Sequence, residues 1–284
     1  MKKKLVNLDN DLNQLRMKKY ILLAGLFLTI GILKGISQVP VMPNMVLTQE
    51  FFSDKDIWPT FTQGVVHYEA QIMYIYGEVY VTSQMPDSAN HTMPTFRSSY
   101  LLPIYSQYKK NGGKVHENFD DEMYLFLDIK YDAKKTCQKL WEELSPYNEI
   151  LTYRIGPQWH EGKLKIVVFG NAPLHVLQQE RISFAAVQGS IDDIVKNYDS
   201  KLMPVIGINF EKDIDWNGVG KMPFDEFMKT KDIIRKAHEQ GKKIRVFNCP
   251  EEVNIWDVML TTGVDFINTS SAAKFNKFLS TRQK

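Results

Sequence analysis

From residue 123 onward the chain repeats one pattern: a short run of apolar residues, then a stretch with helical spacing, then another apolar run. Leu125-Phe126-Leu127 and Ile166-Val167-Val168 are apolar on successive positions, with no polar alternate. Such runs fit strands buried on both faces, as in a parallel sheet covered by helices. Alternating strands and helices over this length leave two architectures, a doubly wound open sheet or a (β/α)8 barrel. About eight strands lie on the main path. No glycine-rich phosphate loop follows an early strand, which weighs against the dinucleotide-binding version.

Caps and breakers set the expected boundaries. Residues 41–52 read as a linker running into a first strand, and 58–65 as a short helix with Pro59 near its start. Residues 67–76 and 78–83 read as strands around Gly77, followed by a loop-rich stretch over 84–94. A helix over 95–110 is stopped by Asn111-Gly112-Gly113. After a strand at 123–130, Asp132 caps a helix running to Leu144. Strands are expected at 151–155, 164–169, 182–187 and 203–210, with a hairpin-like excursion over 156–162 and a short helix from Ser190 to Lys196. The long amphipathic helix over 224–240 is closed by Gly241. Strand, helix, strand, helix over 244–249, 253–261, 265–269 and 272–279 complete the chain.

The N-terminus carries a different signal. Met17-Lys18-Lys19 precedes an apolar run from Tyr20 to Ile32, and Gly35 and Ser37 fill the small-residue positions of a cleavage site. Residues 1–38 therefore read as an N-terminal extension plus secretory signal, with translation starting at Met17 as an option because residues 1–16 are too polar for a leader. The run is shorter than the roughly 20 residues a membrane span needs, so the mature form is expected to have no stable span; an uncleaved anchor is the alternative. This predicts an exported protein, periplasmic or extracellular, with residues 39–284 as a single domain. Apolar residues at 44% suit a sizeable core, and the formal charge of +2 with no basic patch excludes a typical nucleic-acid binder. The two cysteines, Cys137 and Cys249, read as separate residues rather than a disulfide framework.

Several strings, taken in order, resemble one family. Tyr68-Glu69-Ala70-Gln71 is similar to a strand carrying Glu-Ala-Asp, the string from Gly77 to Gln84 to a strand ending Ala-His-Asp, and Leu127-Asp128-Ile129-Lys130 to an Asp/Glu-Ile-Lys strand. Pro204-Val205-Ile206, the segment from Trp216 to Pro223, Arg245 to Pro250 and Gly263 to Thr269 match its second half. Together, over nearly all of residues 45–280, they resemble the glycerophosphodiester phosphodiesterase and phosphatidylinositol-phospholipase-C-like (PI-PLC-like) superfamily. The nearest branch is the one named for altered inheritance of mitochondria protein 6. The resemblance implies a TIM (β/α)8 barrel of the PI-PLC-like phosphodiesterase type, hydrolysing phosphodiesters. It implies carboxylates holding Ca²⁺ or Mg²⁺, two histidines as general base and acid, and a lysine neutralising phosphate charge.

Carried over residue by residue, that implication gives Glu69 and Asp128 as metal ligands and Lys130 as the catalytic lysine. The other family positions are replaced. Gln71 stands for an aspartate, Ser83 for the second histidine and Gln84 for the aspartate after it. Gln188 falls in a Val-Asp-Gly-Arg-like string, Ser270 closes an Asn-Thr-Asp-like one, and Leu47 to Phe52 holds no histidine. A positioned acid or base is worth about 10² to 10⁴ in rate, so losing both removes several orders. Two carboxylates alone are a weak cage for a hard cation. The expectation is a phosphodiesterase-family protein with a degenerate, non-catalytic site that binds a ligand or partner, such as a small phosphodiester or a sugar-like molecule. Its divalent cation is either Ca²⁺ or Mg²⁺ or absent. The alternative is an active metal-dependent phosphoric diester hydrolase with a rearranged site around Glu69, Asp128 and Lys130. A carbohydrate-acting enzyme would need two suitably separated carboxylates, and no convincing pair stands out.

Other candidates have plainer readings. His67 stands at the start of its strand, away from the end where barrel chemistry occurs. His91 and His160 fall in expected loops, and His116, His175 and His238 carry no motif. Asn209, Asn248, Asn268 and Ser270 fall near the ends of late strands, where they could rim a pocket. Tyr68, Tyr74, Tyr76 and Tyr80 read as core or interface packing.

Overall fold

The computed structural model describes residues 40–48, 57–86, 93–172 and 174–282. The expected leader with Met17, the stretch after Thr48 and His91 lie outside the described residues. Residues Pro40–Lys284 form one compact unit. Among the described residues, no helix is long and apolar enough to cross a membrane.

Twelve strands are described. In chain order they are β1 (Met45–Thr48), β2 (His67–Ile75), β3 (Glu78–Val81), β4 (Met123–Ile129), β5 (Tyr153–Ile155), β6 (Gln158–His160), β7 (Leu164–Gly170), β8 (Ile182–Ser183), β9 (Ala186–Gly189), β10 (Val205–Asn209), β11 (Lys243–Phe247) and β12 (Phe266–Thr269). Eight of them run parallel in the order β1-β2-β4-β7-β9-β10-β11-β12, and β12 pairs back onto β1. The sheet closes into a barrel, so the open doubly wound alternative does not apply. Every residue of β4 is buried, as its unbroken apolar run foretold.

Two departures from the expected layout share a cause. Residues 182–187 were expected as one strand, but β8 ends at Ser183 and β9 begins at Ala186. The chain changes partner there. β8 pairs with β5 in a separate antiparallel sheet ordered β6-β5-β8, while β9 joins the barrel between β7 and β10. Tyr153–Ile155 likewise lies in this side sheet rather than on the barrel path. His160 sits in β6 rather than a loop, stacked on Tyr153 with ring centroids 4.6 Å apart.

Helices cover the outside. Asp132 caps the helix Ala133–Leu144 by accepting from the Lys135 N–H at 3.2 Å. The expected helix over 95–110 begins with a π-helical turn at Arg97–Leu101 before Leu102–Lys110 continues as α. Pro103 has no N–H to give Ser99, so the ladder is interrupted where the hydrogen-bond pattern changes. The main core lies between barrel and helices. A second, smaller core fills the barrel itself with Val46, Tyr124, Phe126, Val167, Val205 and Phe266.

Candidate functional site in the barrel interior

Alternation along parallel strands decides which side chains enter the barrel. On β2 the inward set is His67, Glu69 and Gln71, with Glu69 level with Phe126 and Gln71 level with Asp128 of β4. On β11 the corresponding set is Lys243, Arg245 and Phe247. Arg245 lies in an otherwise apolar stretch between Ile244 and Val246 and is completely buried.

Arg245 is the centre of the interior polar network. Its Nη2 donates to Glu69 Oε2 in a buried ion pair. Its Nε donates to Asn268 Oδ1 at 2.7 Å, and its Nη1 donates to Gln188 Oε1 at 2.8 Å. The Asn268 amide turns its Nδ2 the other way, donating to Glu69 Oε2 and to Thr48 Oγ1, the latter at 2.8 Å. The guanidinium carbon also lies 4.3 Å from the Phe126 ring centroid, 4.7 Å from Phe169 and 5.4 Å from Phe247. Gly207 stands opposite Arg245 in the β10–β11 register. A Cβ there would come within 2.3 Å of Gln188 Nε2, so glycine is what lets Gln188 reach across. Burial pushes the Arg245 pKa down, to about 9, which leaves the group charged at neutral pH.

Closer to the C-terminal mouth, Asp128 Oδ2 pairs with Lys130 Nζ at 2.6 Å. The lysine side chain keeps about a third of its surface exposed. The other Asp128 oxygen lies so close to Gly170 that a Cβ there would sit 2.2 Å from it, and Gly170 has φ +73°. Asn171 Nδ2 donates to the Lys130 carbonyl at 2.8 Å and ties the end of β4 to β7. Asn209, at the end of β10, has a buried Oδ1 with no hydrogen-bond partner among the described residues.

The sequence-predicted residues therefore divide. Glu69 is held by Arg245 and Asn268, while Asp128 and Lys130 pair with each other two residues farther along. Among the described residues, no group of three His, Cys, Asp or Glu side chains is placed to hold a metal ion. The β2–β3 hairpin brings Thr82 level with Gln71, its N–H donating to the Gln71 carbonyl at 2.9 Å, and Ser83 and Gln84 follow it as exposed residues past the end of β3. Gln188 and Asn268 belong to the Arg245 network. Ser270 instead donates its N–H and hydroxyl to Glu251 Oε1, at 2.5 and 2.8 Å. Asn248 follows β11 with φ +50°.

His67 is buried at the opposite, N-terminal end. Its Nδ1 accepts from the Tyr124 N–H at 3.0 Å, and its ring packs edge-on to Phe119, Tyr124 and Phe266. Burial, reinforced by nearby Lys243, pushes its pKa down to about 3, so it is a neutral core group. His238 lies near Lys243 and bonds Asp265 at 2.8 Å, also at the N-terminal end of the strands.

Sequence reasoning did not single out Arg245 as a site residue. The available signal was a lone arginine flanked by isoleucine and valine in an expected barrel strand. Such a charge survives burial only when paired.

The model of the AIM6-like phosphodiesterase domain matches residues 38–185, about half of the chain. No curated protein matches. The chain is similar to the crystal structure of a glycerophosphodiester phosphodiesterase from Parabacteroides distasonis, with TM-score 0.52 and 10% identity over 85% of this chain and 99% of that one. It also aligns with a glycerophosphodiester phosphodiesterase from Agrobacterium tumefaciens, with TM-score 0.47 and 12% identity over 84% and 100%. At such identity the Parabacteroides likeness concerns the barrel fold alone. On the family match, the chain belongs to the AIM6-like phosphodiesterase domain family.

Proposed function

We propose that this phosphodiesterase-family barrel is an exported protein that binds a ligand or partner at its mouth and does not hydrolyse phosphodiesters by the metal-and-histidine route its resemblance implies. The observation that carries the reading is the Arg245 network. Glu69, one of the two carboxylates the resemblance gives as metal ligands, already neutralises a fully buried guanidinium and accepts from Asn268. Adding a divalent cation beside Arg245 would place like charges together in a medium that screens them poorly. Gln71 contributes no charge, and Asp128 is matched by Lys130. The residues present thus do not fit a Ca²⁺ or Mg²⁺ site, which needs about six or more oxygen ligands with net negative charge. Ser83 and Gln84 have no group that titrates near neutral pH, so they supply neither acid nor base.

Export rests on the leader pattern from Met17 to Ser37. Binding at the mouth rests on the barrel rule that sites gather at strand C-terminal ends and on the open acceptor of Asn209 there. Hydrolysis of glycerophosphodiesters and bis-nitrophenyl phosphate is to be measured with Ca²⁺, Mg²⁺ and Mn²⁺. The expected rate equals the protein-free background. Metal-dependent turnover that disappears in Asp128→Asn, with the variant still folded by thermal melt, would overturn the reading in favour of an active site around Glu69, Asp128 and Lys130.

A further inference from the structure

A cleft of about 560 Å³ opens where the chain leaves β10 and β11. Both strands end there, so the cleft belongs to the C-terminal mouth, and its size is ordinary for a small-molecule site. Phe210, Ile214, Trp216 and Pro250 form its apolar walls, and Glu211 and Asp215 supply its charge. Among the described residues, no lysine, arginine or histidine lines it.

The walls are fixed while the carboxylates are not committed. The Trp216 indole N–H donates to the Val219 carbonyl at 3.2 Å, and the ring lies 6.5 Å from that of Phe210. Asn254 Nδ2 donates to the carbonyls of Gly218 and Gly220 at 2.7 and 2.8 Å. That clamp holds exposed Val219 against the start of the helix Val253–Thr262, where Val253 is also exposed. By contrast, the side chains of Glu211 and Asp215 are exposed and make no hydrogen bond or ion pair with any described residue.

We propose that this cleft binds a low-molecular-weight organic cation, an ammonium or guanidinium group carried on an apolar body. This deepens the binding reading above and rests on it in placing the ligand at the mouth. Like-signed charges in a cleft with low-dielectric walls concentrate potential of one sign, here negative. Phe210 and Trp216 are themselves largely buried, so they serve as apolar wall that takes part of the ligand's body out of water, and the two carboxylates set the sign of the charge it favours. Among the described lining residues, an anionic phosphodiester would meet two carboxylates and no cation in the same place.

The test is calorimetric titration of the full chain with phenethylammonium chloride, with 2-phenylethanol as its neutral counterpart and phenyl phosphate as an anion. Saturable binding of the amine is expected, at least about tenfold tighter than the alcohol, a difference of about 1.4 kcal/mol. In the Glu211→Gln/Asp215→Asn variant the amine should fall to the level of the alcohol. That variant removes only uncommitted exposed groups, so its melting temperature should be unchanged. Equal binding of amine and alcohol, tighter binding of phenyl phosphate, amine affinity unchanged in the variant, or no saturable amine binding would each overturn the proposal. Those results are separate from hydrolysis: metal-dependent turnover would overturn the proposed function and leave the cation cleft standing.

Discussion

Replacing Arg245 by methionine removes the guanidinium while keeping an apolar side chain of similar reach among Phe126, Phe169 and Phe247. What the substitution leaves behind sets its cost. Glu69 would be a buried carboxylate accepting from Asn268 with no cation beside it, and Gln188 would lose its donor. Breaking a buried pair by removing one partner costs about 3–5 kcal/mol, a large part of the roughly 5–15 kcal/mol that holds a domain folded. Glu69→Gln alone strands the guanidinium instead and should cost a similar amount. In the double variant no charge is left unpaired, so its loss should fall below the sum of the single losses by about 2–4 kcal/mol. Urea unfolding followed by tryptophan fluorescence gives the three differences, with the slope against urea as a check that unfolding stays two-state. Additivity of the two single substitutions within about 0.5 kcal/mol would refute the account of Glu69 and Arg245 as one coupled element.

Glu143, on the helix Ala133–Leu144, has both carboxylate oxygens buried, with no well-formed hydrogen bond to any described residue. Burial first, and Glu78 second, raise its pKa to about 7. Its proton favours the folded state, so stability should fall by about 2–3 kcal/mol as pH rises from about 4.5 through 7. Glu143→Gln should flatten that decline in melts across pH, and an unchanged slope would count against it. His67 works in the opposite sense: its folded pKa is depressed to about 3, so its contribution is complete above about 6.5 and is lost as pH falls toward 3. His67→Gln should remove up to about 4 kcal/mol of that acid-side slope, and an acid limb identical to wild type would contradict its burial as a neutral group. Gly170→Ala should destabilise by about 1–3 kcal/mol, because φ is +73° there and the new Cβ would collide with Asp128; a neutral effect in the same urea assay would show that Asp128 is not held against that strand. Cys137 and Cys249 are free, so a reducing agent should leave the melting temperature unchanged.

The barrel was legible because its signals are local and repeated. Apolar runs such as Leu125-Phe126-Leu127, the Asp132 cap and the Gly241 stop each act within a few residues of chain. The break between β8 and β9 was not legible, since Ile182 to Val187 has one continuous strand pattern and only the tertiary partners change midway. Within the site, the pairing of Asp128 with Lys130 involves neighbours on one strand and could be weighed from sequence. The partner of Glu69 lies 176 residues away, and nothing local to Glu69 announces it. Glu143 left a weaker trace, falling three residues after Leu140 and six after Cys137, on the buried face of its helix.

A protein cation, Arg245, stands beside Glu69 where the family resemblance would put a metal. Calcium binding to the full chain, measured by calorimetry together with melting temperature in calcium and in chelator, tests it most directly. No stoichiometric calcium uptake and the same melting temperature in both conditions are expected, because an ion that does not bind the native state cannot stabilise it. One tightly held ion per chain, raising the melting temperature and lost in Asp128→Asn, would contradict it.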